Sequence, residues 1–146
     1  MASWDLDMLV NKWINQQKSL QHFGMVGWTN VLLWLADGSL LTWGRNNYGQ
    51  LGTDTPFIGT LINIKLPDRR QAKDVVLGSE HTVCLANDNT LWAWGWNEHA
   101  NTGVDSADCV FHPTLVPLEN LTNIRAIYSG AAHNFLVVNE NEVKCE

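Results

Sequence analysis

Long apolar runs, clustered positive charge and paired cysteines are all missing from this chain, and each absence removes a class of function. No apolar stretch approaches the roughly 20 residues of a membrane-spanning helix. Residues 1–25 lack the apolar core and small-residue cleavage site of a secretory leader, so a cytoplasmic or nuclear protein is expected. Cys84, Cys109 and Cys145 are an odd set with no Cys-x-x-Cys spacing, which argues against a disulfide framework and a thiolate metal site. Basic residues number nine against fifteen acidic ones, a formal net charge of −6, and they are scattered apart from Arg69-Arg70. A nucleic-acid binder gathers its positive charge on one face. Neither a phosphate-cradling glycine loop nor a Ser-His-Asp or Cys-His arrangement can be argued. The expectation is a non-enzyme with no cofactor and no metal, and with neither nucleic acid nor membrane as partner.

Tryptophan, by contrast, is in excess, with eight in 146 residues. Rings of that size need packing surfaces, which speaks for an ordered fold. The length suits one domain.

The chain repeats itself. Shifted by 51 residues, Gly27 falls on Gly78, Asp37 on Asp88, Leu40 on Leu91, Trp43-Gly44 on Trp94-Gly95, Asn46 on Asn97 and Gly52 on Gly103. A third copy starts at Gly130, 52 residues after Gly78, where Ala131-Ala132-His133 parallels Ser79-Glu80-His81. Within a unit, Val31–Leu35 and Leu40–Trp43 are short apolar runs separated by Asp37-Gly38, a strong hairpin signal. The second unit has Thr82–Leu85, then Asn87-Asp88-Asn89, then Leu91–Trp94, and the third has Asn134–Val138, then Asn139-Glu140-Asn141 before Val143. Asp74–Leu77 and Ile124–Tyr128 read as preceding strands that run into Gly78 and Gly130. A long proline-bearing loop is expected to link one unit to the next. Three or four short strands per ~50 residues indicate a propeller blade.

Trp43-Gly44-Arg45-Asn46-Asn47-Tyr48-Gly49-Gln50-Leu51-Gly52 resembles the signature of the regulator of chromosome condensation repeat. Gly78-Ser79-Glu80-His81-Thr82-Val83-Cys84-Leu85 is similar to that family's second signature, and the resemblance covers roughly residues 24–146. The implied fold is all-β, a partial propeller of about two and a half blades. Residues 24–73 would be the first blade, 74–123 the second and 124–146 a partial third. Residues 1–23 form a separate amino-terminal segment, in which 4–15 reads as a helix with one apolar face that packs on a blade. Trp94–His99 and Gly27-Trp28-Thr29 look like the carboxy-terminal blades of a small-propeller branch of the family. That branch includes the alpha-tubulin suppressor protein and the secretion-regulating guanine nucleotide exchange factor. Complete rings are usual there, so the expectation here is self-assembly into a ring, a truncated gene product, or an open stack capped by the amino-terminal segment.

The recurrent residues Gly27, Trp43, Gly44, Gly52, Gly78, His81, Trp94, Gly95, Gly103, Gly130 and His133 read as structural, the histidines bonding within their own blades. Cys84 falls in a strand as a small hydrophobe. Trp28 and Trp96 replace polar residues at their repeat positions, Ser79 and Arg45, which suits binding anchors. Residues 45–50 and 96–101 are equivalent turns and should emerge on one face. Asn46, Asn47, Tyr48, Trp96, Asn97, Glu98 and His99 would join Trp28 in a polar-aromatic partner-binding patch. The resemblance implies a protein-interaction module whose partner is the small metal-binding diphthamide-biosynthesis protein. That would link it to diphthamide synthesis and to Elongator-dependent modification of the tRNA wobble uridine. The alternatives are guanine nucleotide exchange on a small GTPase, and a truncated propeller without independent function.

Overall fold

Alternating apolar runs and tight turns can satisfy their backbone groups only by pairing with each other, and here they do so as antiparallel meanders. A computed structural model describes residues 24–26, 28–35, 38–54, 61–105, 108–118, 123–138 and 142–145. The first sheet is β1 (Gly24–Val26), β2 (Asn30–Trp34), β3 (Leu40–Gly44) and β4 (Ile62–Ile64), in that spatial order. The second is β5 (Ala72–Leu77), β6 (His81–Ala86), β7 (Leu91–Trp96) and β8 (Cys109–Leu115). The third is β9 (Ile124–Gly130), β10 (His133–Val138) and β11 (Glu142–Cys145). β1 lies against β5, and β5 against β9, so the first strands of successive sheets stand side by side and the sheets fan out from them. Backbone hydrogen bonds join the units at corresponding places: Trp28 N–H donates to Ser79 O at 3.0 Å, and Ser79 N–H to Ala131 O at 2.9 Å. The expected amino-terminal helix lies outside the described residues, as do Gly27 and Asp37.

One apolar core runs through all three sheets. It takes Leu32 and Leu40 from the first, Val83, Leu85 and Trp94 from the second, and Ile127 and Leu136 from the third. Cys84 is fully buried in it, and burial pushes its thiol far above the usual range, in keeping with a small hydrophobe. Trp43 is buried as well, as expected of a blade tryptophan. A smaller cluster of Leu33, Leu35 and Leu41 fills the opposite face of the first sheet, so that sheet is apolar on both sides.

The linking segments correct the expectation of long loops. Each contains a fourth strand, β4 or β8, hydrogen-bonded to the sheet edge. β4 is only three residues long, and β8 contains His112-Pro113, a pair that weakens any strand signal. Proline is tolerated there because β8 is the outermost strand of its sheet and needs no donor on its free side. The middle turn of the second unit behaves as its asparagines suggest. Asn89 takes the left-handed conformation (φ 70°), and Ala86 N–H closes the hairpin on Thr90 O.

The repeated glycines divide into two kinds. At Gly95 (φ +111°) an added Cβ would lie 2.5 Å from Glu80 O, and at Gly44 (φ +126°) it would lie 2.5 Å from Thr29 O. Both mark the same close approach of the third strand of a unit to the start of the second. Gly130 is less crowded among the described residues. Although it aligns with Gly78, a side chain there would meet nothing within 4 Å. Buried His81 and the Ala131 carbonyl of the third unit both crowd Gly78, whereas His133, the counterpart of His81, is exposed. Gly95→Ala should therefore cost about 2 kcal/mol or more in denaturant unfolding, while Gly130→Ala stays within about 0.5 kcal/mol of the parent.

Candidate functional site

The two equivalent turns are each folded by one asparagine. In the first, Asn46 Oδ1 accepts from Leu51 N–H at 3.0 Å and its Nδ2 donates to Thr53 O at 2.6 Å. In the second, Asn97 Oδ1 accepts from Thr102 N–H at 3.1 Å and from Thr102 Oγ1 at 2.6 Å, while Nδ2 donates to Val104 O at 2.9 Å. Each side chain closes a turn that would otherwise leave backbone groups unpaired. Both asparagines are about 5% exposed. Asn46 and Asn97 thus leave the expected partner-binding patch and become its scaffold. The reversal continues identically in both turns, with Gly49 (φ 79°) and Ala100 (φ 58°) in the left-handed region at the same position.

What these turns display is aromatic. The Tyr48 and Trp96 rings lie 6.3 Å apart at 47°, and His99 meets Trp96 edge-on at 5.4 Å. Trp96 Nε1 donates to Glu98 Oε2 at 2.9 Å, which fixes the indole plane. Tyr48, Trp96, Glu98 and His99 are therefore brought together, as the equivalence of the turns implies. Trp28 stands at the same end of the strands, 78% exposed, with its backbone tied to Ser79 of the second unit. Asn47 is exposed beside them, its Oδ1 accepting from Gln50 Nε2 at 3.2 Å.

Beneath the display runs a buried polar belt. Gln50, fully buried, donates from Nε2 to Glu80 Oε2 at 2.7 Å and to Thr29 Oγ1 at 3.0 Å, and its Oε1 accepts from Tyr48 N–H at 2.8 Å. Thr29 Oγ1 in turn donates to Glu80 Oε2 at 2.7 Å. One carboxamide thus ties its own turn, the first sheet and the second sheet together. Asn101, the repeat counterpart of Gln50, does the same one step on. Its Oδ1 accepts from His99 N–H at 3.2 Å, its Nδ2 donates to Ala132 O at 3.1 Å, and its carbonyl accepts from Asn134 Nδ2 at 2.5 Å. None of Thr29, Gln50, Glu80, Asn101 and Asn134 was singled out from the sequence as an inter-blade tie. The available signal was the pair of carboxamides at one repeat position, Gln50 and Asn101.

His81 belongs to this belt and not to its own blade alone, which corrects the reading of the repeated histidines. Because Asn134 Nδ2 is committed to Asn101, its Oδ1 is the acceptor for His81 Nε2 at 2.8 Å. His81 thereby carries a proton on Nε2, and it bridges the second and third sheets. Ser129 Oγ adds a bond to the same Asn134 oxygen at 3.0 Å. His133, at the matching repeat position, is exposed.

A fan of small antiparallel sheets whose first strands lie together, one per ~50-residue repeat, is the propeller-blade architecture. The regulator of chromosome condensation (RCC1) repeat model matches residues 37–85 and 88–137, and a second RCC1 repeat model matches 72–100. The chain belongs to the RCC1 repeat family. It is similar to the secretion-regulating guanine nucleotide exchange factor of Mus musculus, with 29% identity over 132 residues, 76% of this chain and 28% of that protein. It is also similar to the ultraviolet-B receptor UVR8 of Arabidopsis thaliana, with 28% identity over 123 residues, 80% of this chain and 27% of the receptor. Among solved structures, yeast RCC1 (Prp20) bound to Kap60 matches with a TM-score of 0.73 at 20% identity, covering 84% of this chain and 31% of that one. Human WBSCR16 matches with a TM-score of 0.71 at 18% identity, covering 80% and 31%. The structural likeness shows the fold, and this chain spans less than a third of each of these proteins.

Burial lowers the pKa of His81 below its ordinary value of about 6.5, and the Asn134 bond only partly opposes this. As pH falls the unfolded chain takes up the proton first. The stability held by this group is therefore complete above about pH 6.5 and drains away as pH drops through the lowered value. Urea midpoints should fall between about pH 7.5 and about pH 5.5, and His81→Gln, which keeps a donor for Asn134, should flatten that fall.

Proposed function

We propose that the chain is a protein-binding module without catalytic chemistry of its own, working in the cytoplasm or nucleus. Its docking surface is the loop end that carries Trp28, Tyr48, Trp96, Glu98 and His99. The observation that carries this reading is the exposure of Trp28 at the end of the strands where two turns, braced from below, carry an aromatic cluster. Binding hot spots favour tryptophan and tyrosine, and a pre-organised surface loses little freedom on docking. Loops positioned by rigid sheets are where propellers place recognition.

For the partner, the resemblance of Trp94–His99 to the alpha-tubulin suppressor branch supports the small metal-binding diphthamide-biosynthesis protein. Through it the module would act on diphthamide synthesis and on tRNA wobble-uridine modification. A second reading, exchange or regulation on a small GTPase, is supported by the name of the mouse relative. It is also supported by the solved structure of yeast Prp20p, described together with its binding to Gsp1p and histones.

Both readings are tested with the immobilised chain and purified candidates. A binding module retains its partner and leaves the release of labelled GDP from a GTPase unchanged. An exchange factor accelerates that release and holds the nucleotide-free GTPase best. Trp96→Ala should weaken retention about tenfold or more while the far-ultraviolet circular dichroism stays that of the parent. Retention unchanged by Trp96→Ala and by Trp28→Ala would move the docking surface elsewhere.

A further inference from the structure

The opposite end of the first sheet carries a different chemistry. β3 enters from the hairpin turn at Gly38-Ser39 and pairs Leu40 with Ile64, so the segment after β4 lies at this end, away from the loops that follow Gly44. A cleft of about 280 Å³ opens here, lined by Ser39, Asn63, Lys65, Arg69, Arg70 and Gln71 among others. Four of the chain's nine basic residues, Lys65, Arg69, Arg70 and Lys73, fall within residues 65–73, in a protein whose net charge is −6. An anionic ligand repelled by the molecule at large meets a local exception at this cleft.

Its basic side chains play separate parts. Arg70 is already engaged. Its Nε donates to Asp88 Oδ2 at 2.6 Å, and Nη1 donates to Asp68 Oδ2 at 3.0 Å and to Pro67 O at 3.1 Å. Its guanidinium also lies 5.1 Å over the Trp92 ring. It consumes both neighbouring carboxylates and closes the single 3₁₀ turn Pro67–Arg69 on itself. That turn holds two consecutive non-glycine residues, Asp68 (φ 57°) and Arg69 (φ 59°), in the left-handed region. Such strain persists only where surrounding contacts impose it, and it gathers at ligand sites. Its outcome is that Arg69 is held out at the cleft. Lys65 and Arg69 are both exposed and, among the described residues, neither has a carboxylate or hydrogen-bonding partner.

We propose that this cleft binds a carboxylate-rich peptide segment, with Lys65 and Arg69 as its recognising cations and Arg70 as the brace that presents Arg69. Two exposed cations on the rim of an open groove suit an extended acidic chain laid across it, with the Asn63 and Gln71 carboxamides in the lining for its backbone. The site is distinct from the aromatic loop end and stands whether or not that surface binds the proposed partner.

Fluorescence anisotropy of a fluorescein-labelled hexaglutamate peptide with the full chain tests it. The Lys65→Gln/Arg69→Gly double variant should weaken binding about tenfold, the scale of two partly screened ion pairs, with binding to the parent falling as salt rises. Glycine suits the left-handed backbone at position 69, so the variant keeps the turn. Arg45→Gln, which removes an exposed cation at the other end of the sheet, should leave binding unchanged. Absence of peptide binding at low salt, an undiminished double variant, or an equal loss in Arg45→Gln would overturn the proposal. Displacement of the peptide by inorganic phosphate, where sodium chloride of equal ionic strength has no effect, would assign the cleft to a small oxyanion and overturn it too.

Discussion

The buried carboxamide of Gln50 decides how the first two blades sit on one another. Apolar contact between sheets is strong but non-directional, and Leu, Val and Trp side chains tolerate sliding by a fraction of a residue. Hydrogen bonds among buried groups do not. A slip that broke Gln50 from the half-buried Glu80 carboxylate and Thr29 hydroxyl would leave its own fully buried amide unpaired, at a cost of about 1–3 kcal/mol for that group. The second junction repeats the device with other residues, Asn101 bonding Ala132 and Asn134, and Asn134 accepting from His81. The polar belt thus supplies register and the apolar core supplies most of the cohesion.

This division of labour explains why the loop end is suited to recognition. Each turn is closed from inside by an asparagine, anchored from below by a carboxamide, and left to display whatever side chains occupy its tip. In the first turn the tip offers Tyr48, and in the second Trp96, Glu98 and His99, and the rings meet across the boundary between blades. The tips vary while the bases stay constant, so a binding surface can change without disturbing the fold. The basic cleft at the other end follows the same logic, with a fixed arginine holding a strained turn in place.

Much of this was legible in the sequence because the repeat writes it twice. Trp43-Gly44 and Trp94-Gly95 recur 51 residues apart since the same close backbone approach occurs in both units. The hairpins follow from short apolar runs on either side of turn-forming residues. β4 and β8 were not legible, because the first is very short and the second carries a proline that only an edge position tolerates. The asparagines misled for a physical reason. A polar side chain in a turn can face solvent or close its own backbone, and only the fold shows that Asn46 and Asn97 do the latter. At Gly130 and His133 the packing of Gly78 and His81, to which the next unit contributes Ala131 and Asn134, does not recur among the described residues.

The central claim is that directional bonds across the blade boundary, and not apolar stacking alone, hold the loop platform in register. A double-mutant cycle on unfolding free energy with Gln50→Ala, Glu80→Ala and the pair tests it most directly. A coupling of about 1–3 kcal/mol between the two positions is the predicted result. Additive losses, with no coupling beyond about 0.3 kcal/mol, would contradict it and leave the blades held by their apolar faces.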